Sequence, residues 1–190
     1  MRIKFATLAT TIALFAVFGA ATASAKPFSK TVSLYGVTFT VKSPNRSSRN
    51  TVTITTRGLT RNLNVTKPFD GMVVDAAIGD SNLDQSPEFF VWGRSGGSGG
   101  YGILIGYGAN NKKSATEIYV PEMDPNSDSA KGYMGHDEFD MVENTLVRRF
   151  PIYKPGDSNA KATGGTRQLQ FKVAAGEAGW ILKIDKTLDY

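Results

Sequence analysis

"EFFVWGRSGGSGGYGILI", residues 88 to 105, decides how the rest of the chain is read. Side chains of an extended strand alternate between two faces, so the unbroken apolar runs Phe89 to Trp92 and Ile103 to Ile105 need cover on both faces. Joined through a short polar stretch, they read as antiparallel neighbours at the centre of a sheet. The join itself is unusual, because residues 93 to 102 hold six glycines, two serines, one arginine and one tyrosine. A loop from Gly93 to Tyr101 exceeds the usual hairpin connection of about two to five residues. Loops of that kind on a rigid scaffold often carry function.

Outward from this stretch the period is that of strands. In "VTFTVKS" Val37, Phe39 and Val41 alternate with polar residues, and in "RQLQFKV" Leu169, Phe171 and Val173 do the same. "TVTITT" adds Val52 and Ile54, and "WILKI" places Trp180, Leu182 and Ile184 on one face. Turn chemistry separates these runs at Tyr35-Gly36, "SPNRSSRN", Pro68 to Gly71, "GANN", "DPNSDS", "PGDSN" and "TGG". "FDMVENTLVRRFPIY" reads as a hairpin turning at Glu143-Asn144, and no amphipathic helix stands out. Ten or eleven short strands with polar turns predict an all-β chain, an antiparallel β-sandwich or alternatively a small closed β-barrel.

The first 25 residues read as an export signal that is cleaved. Arg2 and Lys4 form a basic start, "FATLATTIALFAVF" an apolar centre and Ala23, Ser24 and Ala25 a small-residue cleavage site. Residues 26 to 190 remain as one all-β domain of a size that buries about 70% of its unfolded surface. The chain has no cysteine, which excludes a thiolate metal site and a cysteine nucleophile. A bacterial periplasm, with no membrane anchor, is the expected destination, and full secretion is the alternative. The whole chain carries 22 basic and 17 acidic residues, and without Arg2 and Lys4 the balance is 20 to 17. So mild and scattered a charge gives no footprint for nucleic acid.

Three readings compete for the glycine stretch. Glycine supplies positive φ and flexibility in ordinary loops. A phosphate loop fits poorly, since no Gly-Lys-Ser/Thr follows and no helix begins at Tyr101. The third reading is a slim projection, nearly free of side chains, that enters a cleft with Ser98 and Tyr101 as its handles. A serine hydroxyl donating to a carboxylate contributes about 1.5 to 3 kcal/mol, and tyrosine is a frequent hot-spot residue.

Other residues invite weaker readings. "DSNLDQSPE" sets Asp80, Asn82, Asp84 and Glu88 at the spacing of a calcium loop, but Gln85 stands where such loops turn on glycine. A self-bonded Asx turn is the favoured alternative, and no metal or cofactor is expected. His136, the one histidine, stands beside Asp137, and with Ser98 it would complete a Ser-His-Asp set on paper. "GGSGG" matches the letters of a nucleophile elbow without its strand-to-helix context, so no enzyme is expected. Thr166 and Arg167, after the glycines of "ATGGTRQ", either flank the first loop or belong to a plain hairpin turn.

The glycine loop with its Ser98 and Tyr101 three apart, together with "DSNLDQSPEFFVW", "GYMGHDEFD", "LVRRFPIYKPGDSNA" and "TGGTRQLQFK", resembles the bacterial periplasmic inhibitors of i-type (invertebrate) lysozyme. The resemblance covers roughly residues 30 to 184. It implies an exported all-β protein that shields peptidoglycan from host lysozyme, with Ser98, Gly99, Gly100 and Tyr101 entering the cleft of the enzyme. Arg94, at the base of the loop, would pair with acidic cleft residues or remain a solvated surface arginine. The wider set of lysozyme inhibitors uses a related Ser-Gly motif with a tyrosine, so the c- and g-type classes stay open as targets, beside a calcium- or glycan-binding β-domain. The chemistry suits such a role: a retaining glycosidase holds two carboxyl groups about 5 to 5.5 Å apart, and a serine hydroxyl can donate to one of them. Exposed strand edges leave room for a homodimer.

Overall fold

A computed structural model describes residues 26–190; the export signal read at residues 1–25 lies outside the described residues. The fold is all-β, with twelve strands and a single 3-10 turn at Asp128–Ala130 among the described residues. Four strands, β1 (Phe28–Leu34), β2 (Val37–Ser43), β3 (Asn50–Arg57) and β4 (Asn64–Phe69), form an antiparallel meander in chain order. Pro68 sits in β4, at the edge of that sheet, where a missing N–H does least harm.

The other eight strands form one strongly curled sheet. These are β5 (Met72–Gly79), β6 (Glu88–Arg94), β7 (Gly102–Asn110), β8 (Ser114–Tyr119), β9 (Glu138–Val142), β10 (Thr145–Pro151), β11 (Thr166–Gly176) and β12 (Gly179–Asp189). Their spatial order is β5-β6-β7-β8-β12-β11-β10-β9. All pairs are antiparallel except β8 with β12, which run parallel with Ile118 opposite Trp180 and Tyr119 opposite Ile181. That exception follows from the connection: the chain leaves β8 and builds β9 to β11 before β12 returns beside it. The edge strands β5 and β9 come into contact without forming a ladder. A Cβ on Gly79 would lie 3.0 Å from Met141 Sδ, and the Asp80 N–H donates to Asn144 Oδ1 at 3.3 Å. The sheet is thus a nearly closed barrel with the four-stranded sheet packed on one side.

This arrangement explains the apolar run at β6. Phe89 and Val91 point into a core shared with Phe39, Val41, Val52 and Ile54 of the smaller sheet, where Phe39 and Phe89 stack with centroids 5.0 Å apart. Phe90 and Trp92, on the opposite face, fill the barrel with Ile118, Leu146, Val173 and Leu182. One strand therefore separates two cores, and all four side chains are buried. β7 pairs with β6 from Glu88↔Gly108 to Arg94↔Gly102, as the antiparallel reading expects. Gly106 and Gly108 leave space on the barrel side: a Cβ at Gly106 would sit 2.9 Å from the Phe90 ring, and one at Gly108 3.0 Å from Trp180. The hairpin at Glu143-Asn144 is present between β9 and β10, with Thr145 paired to Val142.

Candidate functional site

The glycine loop is shorter than the sequence suggests. Gly93 and Arg94 remain in the ladder opposite Ile103 and Gly102, because glycine gives its N–H and C=O to a sheet as any residue does. The loop proper runs from 95 to 101. Its base is closed by the Ser95 N–H donating to the Tyr101 carbonyl at 2.8 Å, and the Tyr101 N–H returns to Ser95 Oγ at 3.0 Å. At the tip the Gly100 N–H donates to the Gly97 carbonyl at 3.2 Å, with φ of +138° at Gly97 and +49° at Gly100. A side chain at either residue would strain this turn.

Two other segments clasp the tip. The His136 N–H donates to the Gly99 carbonyl, and Asn159 Nδ2 donates to the Ser98 carbonyl at 3.2 Å. His136 Nε2 and Asn159 Oδ1 are 3.2 Å apart, while the Tyr153 hydroxyl donates to the Asn159 carbonyl at 2.9 Å. The backbone of the loop is therefore fixed by its own domain, yet the side chains of Ser98 and Tyr101 face outward. Ser98 is exposed, and its hydroxyl has no hydrogen-bond partner among the described residues. Tyr101 is 48% exposed and meets the Tyr133 ring edge to face, with centroids 5.8 Å apart. Gly99 makes room for that ring, since a Cβ there would lie 2.6 Å from Tyr101 Cε2.

The root of the loop rests on Asp137, whose side chain is fully buried. One carboxylate oxygen accepts from the Gly102 N–H and from the Tyr133 hydroxyl, each at 2.6 Å, and the other accepts from Arg148 Nε at 2.6 Å. The Asp137 carbonyl receives Arg94 Nε at 2.9 Å. Arg94 also approaches Glu138 at 3.5 Å and stays about half exposed, so it braces the root of the loop while its edge faces solvent. Burial opposes the Arg148 charge, but Asp137 and Tyr133 outweigh it and hold the guanidinium above its ordinary pKa. Burial, with help from Asp137, raises the Tyr133 phenol.

Gly135 carries a sharp consequence of the clasp. Its φ is +92°, and a Cβ there would collide with the Gly99 carbonyl. Gly135→Ala is expected to push the tip off its seat and weaken any contact that depends on Ser98 by at least tenfold, while the strands keep their pairing. A binding assay beside a circular dichroism spectrum checks this; equal binding by the variant would show that the clasp does not set the loop.

The remaining sequence candidates fall elsewhere. Arg167 is not an available contact residue: it is 8% exposed, forks onto Asp189 with two bonds of 2.7 Å, and donates to the carbonyls of Asp128 and Lys131. Thr166 pairs through its backbone with Tyr190, although it borders the hollow that contains His136 and Asn159. The segment that does flank the loop is the turn at Asn159, which local turn chemistry marks only as a turn. Ser98, His136 and Asp137 form no relay, because the Asp137 carboxylate faces Gly102, Tyr133 and Arg148 instead.

Asp80, Asp84 and Glu88 converge, with one oxygen from each lying within 4.8 Å of the others. The hydrogen bonds are those of an Asx turn: Asp80 accepts the N–H groups of Asp84 and Gln85, Asn82 Oδ1 accepts the Asp84 N–H, and Asp84 accepts that of Ser86. Asn82 turns its amide toward Asp84 at 3.1 Å. Glu88, 2% exposed, accepts from the Ser81 N–H and hydroxyl. Burial first, opposed by those Ser81 bonds and aided by Asp84 and Asp80, pushes its carboxyl up to about 7.

Comparison with known proteins gives no match to a protein-family model, to a curated protein or to a solved structure.

Proposed function

We propose that the protein inhibits a lysozyme of the i-type by inserting the loop 95–101 into the catalytic cleft of the enzyme. The observation that carries this reading is an exposed, unpartnered Ser98 hydroxyl and a half-exposed Tyr101 ring on a loop whose backbone is clasped at Ser98 and Gly99. A flexible glycine loop would lose part of its binding energy to ordering. A loop already held in shape by its own domain avoids that cost. Ser98 then donates to a catalytic carboxylate, which blocks the acid and occupies the position of the sugar. Tyr101 fills a neighbouring subsite with its ring and keeps its hydroxyl at the wet rim. The chain performs no bond-making step in this scheme.

A turbidity assay tests the reading. Purified protein is mixed with i-, c- and g-type lysozymes and a suspension of bacterial cells, beside Ser98→Ala and Tyr101→Ala. Stoichiometric inhibition of the i-type enzyme is expected, with inhibition weakened about tenfold or more by each substitution, in line with about 1.5 to 3 kcal/mol for a charge-assisted bond or an aromatic anchor. Lysis at the full rate with all three enzymes under excess protein would end the proposal. Inhibition that both variants retain would move the contact away from this loop.

A further inference from the structure

The curled sheet has an open mouth beside the loop, and it is built unlike the solvated rim around it. A cavity of about 480 Å³ lies between the segment after β8 and the inner face of the barrel. Leu104, Val120, Phe139, Phe171 and Leu182 form its apolar wall. A second cavity of about 280 Å³ continues from it under the same segment and shares Val120, Phe171 and Leu182. Arg148 lines both.

Arg148 is the one cation in this wall that is largely buried, with its side chain 15% exposed. Its guanidinium carries five N–H donors. Nε donates to Asp137 and Nη2 to the Tyr133 hydroxyl, which leaves Nη1 and the second hydrogen of Nη2 without an acceptor among the described residues. Those two nitrogens are the end of the guanidinium fork, the edge that pairs bidentately with a carboxylate. The plane is held by aromatic rings, with the guanidinium carbon 4.9 Å from the centroid of Tyr133, 5.6 Å from Phe139 and 5.7 Å from Phe150. Glu122 and Asp124, the carboxylates of the covering segment, are exposed and solvated, and the exposed Lys183 stands with them.

We propose that this mouth is a binding site for a small carboxylate with an aliphatic body. The apolar walls take the chain and the free end of the Arg148 fork takes the carboxylate. A cavity of this size lined by apolar residues around a few convergent donors is the usual form of a small-molecule site, and the mouth of a β-barrel is a usual place for one. A neutral alcohol of the same length would fill the same walls but offer the guanidinium a single, uncharged acceptor. The proposal does not rest on the lysozyme reading, although Tyr101 borders the mouth.

The test is a calorimetric titration of the purified protein, without lysozyme, using octanoate and 1-octanol. Octanoate is expected to bind at least tenfold tighter than octanol. Arg148→Lys keeps a positive charge beside Asp137 but loses the planar fork, so a tenfold or larger loss for octanoate is expected. Because that substitution touches a buried ion pair, Val120→Trp serves as the second variant: it fills the mouth from the covering segment and is expected to abolish the octanoate heat while Arg148 and Asp137 remain. No heat from octanoate with the native protein would overturn the proposal, as would equal affinities for acid and alcohol, or binding that survives Val120→Trp. Since no lysozyme is present, failure here leaves the inhibitor reading standing, and failure of inhibition leaves this site standing.

Discussion

Asp137→Ala will destabilise the protein by about 3 to 5 kcal/mol, the range for removing one partner of a buried ion pair. The reason is what remains behind. Arg148 would keep its charge inside the barrel wall with only the Tyr133 hydroxyl as a partner, and the Gly102 N–H and the Tyr133 hydroxyl would each lose an acceptor at 2.6 Å. Urea unfolding reads the effect as a lower midpoint with little change in slope. The same substitution frees the root of the loop, because Gly102 is the first residue of β7 after Tyr101. If the loop inhibits lysozyme as proposed, that inhibition should therefore fall with stability, even at temperatures where the variant stays folded. Asp137→Asn, which keeps the shape and an acceptor, should cost less than the alanine variant and still leave the guanidinium uncompensated. A loss under about 1 kcal/mol for Asp137→Ala would mean that Arg148 finds another partner and that Asp137 is not the foundation of the loop.

The second large effect concerns Glu88. In the unfolded chain its carboxyl ionises near its ordinary value of 4.5, whereas burial in the fold raises it to about 7. Between those values the folded protein holds a proton that the unfolded chain has released, so stability decreases as pH rises. The contribution is fully present below about 4.5 and is lost as pH passes through about 7. At about 1.36 kcal/mol for each pH unit, the separation of about 2.5 units between 4.5 and 7 corresponds to a loss of roughly 3.4 kcal/mol. Melting temperatures measured from pH 5 to 8, in the presence of EDTA, should fall for the native protein. Glu88→Gln keeps an acceptor for Ser81 and has no proton to lose, so its melting temperature should decline much less and exceed the native value at pH 8. The carboxylates Asp128, Asp185 and Asp189, paired with cations, and Asp157, which accepts the backbone N–H of Lys154 and Thr163, are all held below their ordinary values and titrate under this window. Parallel curves for native and Glu88→Gln would show that Glu88 is as well solvated in the fold as out of it.

Strand period was the strongest signal in the sequence, and it survives in detail at β2, β3 and β6, where the expected faces are buried. The end of β12 departs from it. Trp180 and Leu182 pack into the barrel, but Ile184 is 41% exposed where it lines the open hollow under the segment after β8, and the register shifts only beyond it, at Asp185. Of the candidate site, the loop and its two outward side chains were legible, because a glycine run between two doubly apolar strands has to leave the sheet. The clasp was not. Asn159 lies 61 residues beyond Ser98, and an asparagine that bonds a distant carbonyl looks the same in sequence as one that closes its own turn. Arg167 shows the same limit from the other side: two residues after the glycines it reads as a flank of the first loop or part of a hairpin turn, and its burial depends on Asp189 and the carbonyls of Asp128 and Lys131.

Residue order was enough to make this chain all-β and to set β6 between two cores, since consecutive apolar side chains admit no other use in an extended backbone. It took the folded chain to hold the glycine loop rigid, to place Asp137 under it and to open Arg148 into a cavity. Those outcomes depend on single hydrogen bonds and ion pairs between residues far apart in the chain, and such contacts repeat with no period. Geometry after folding selects them, and local composition does not.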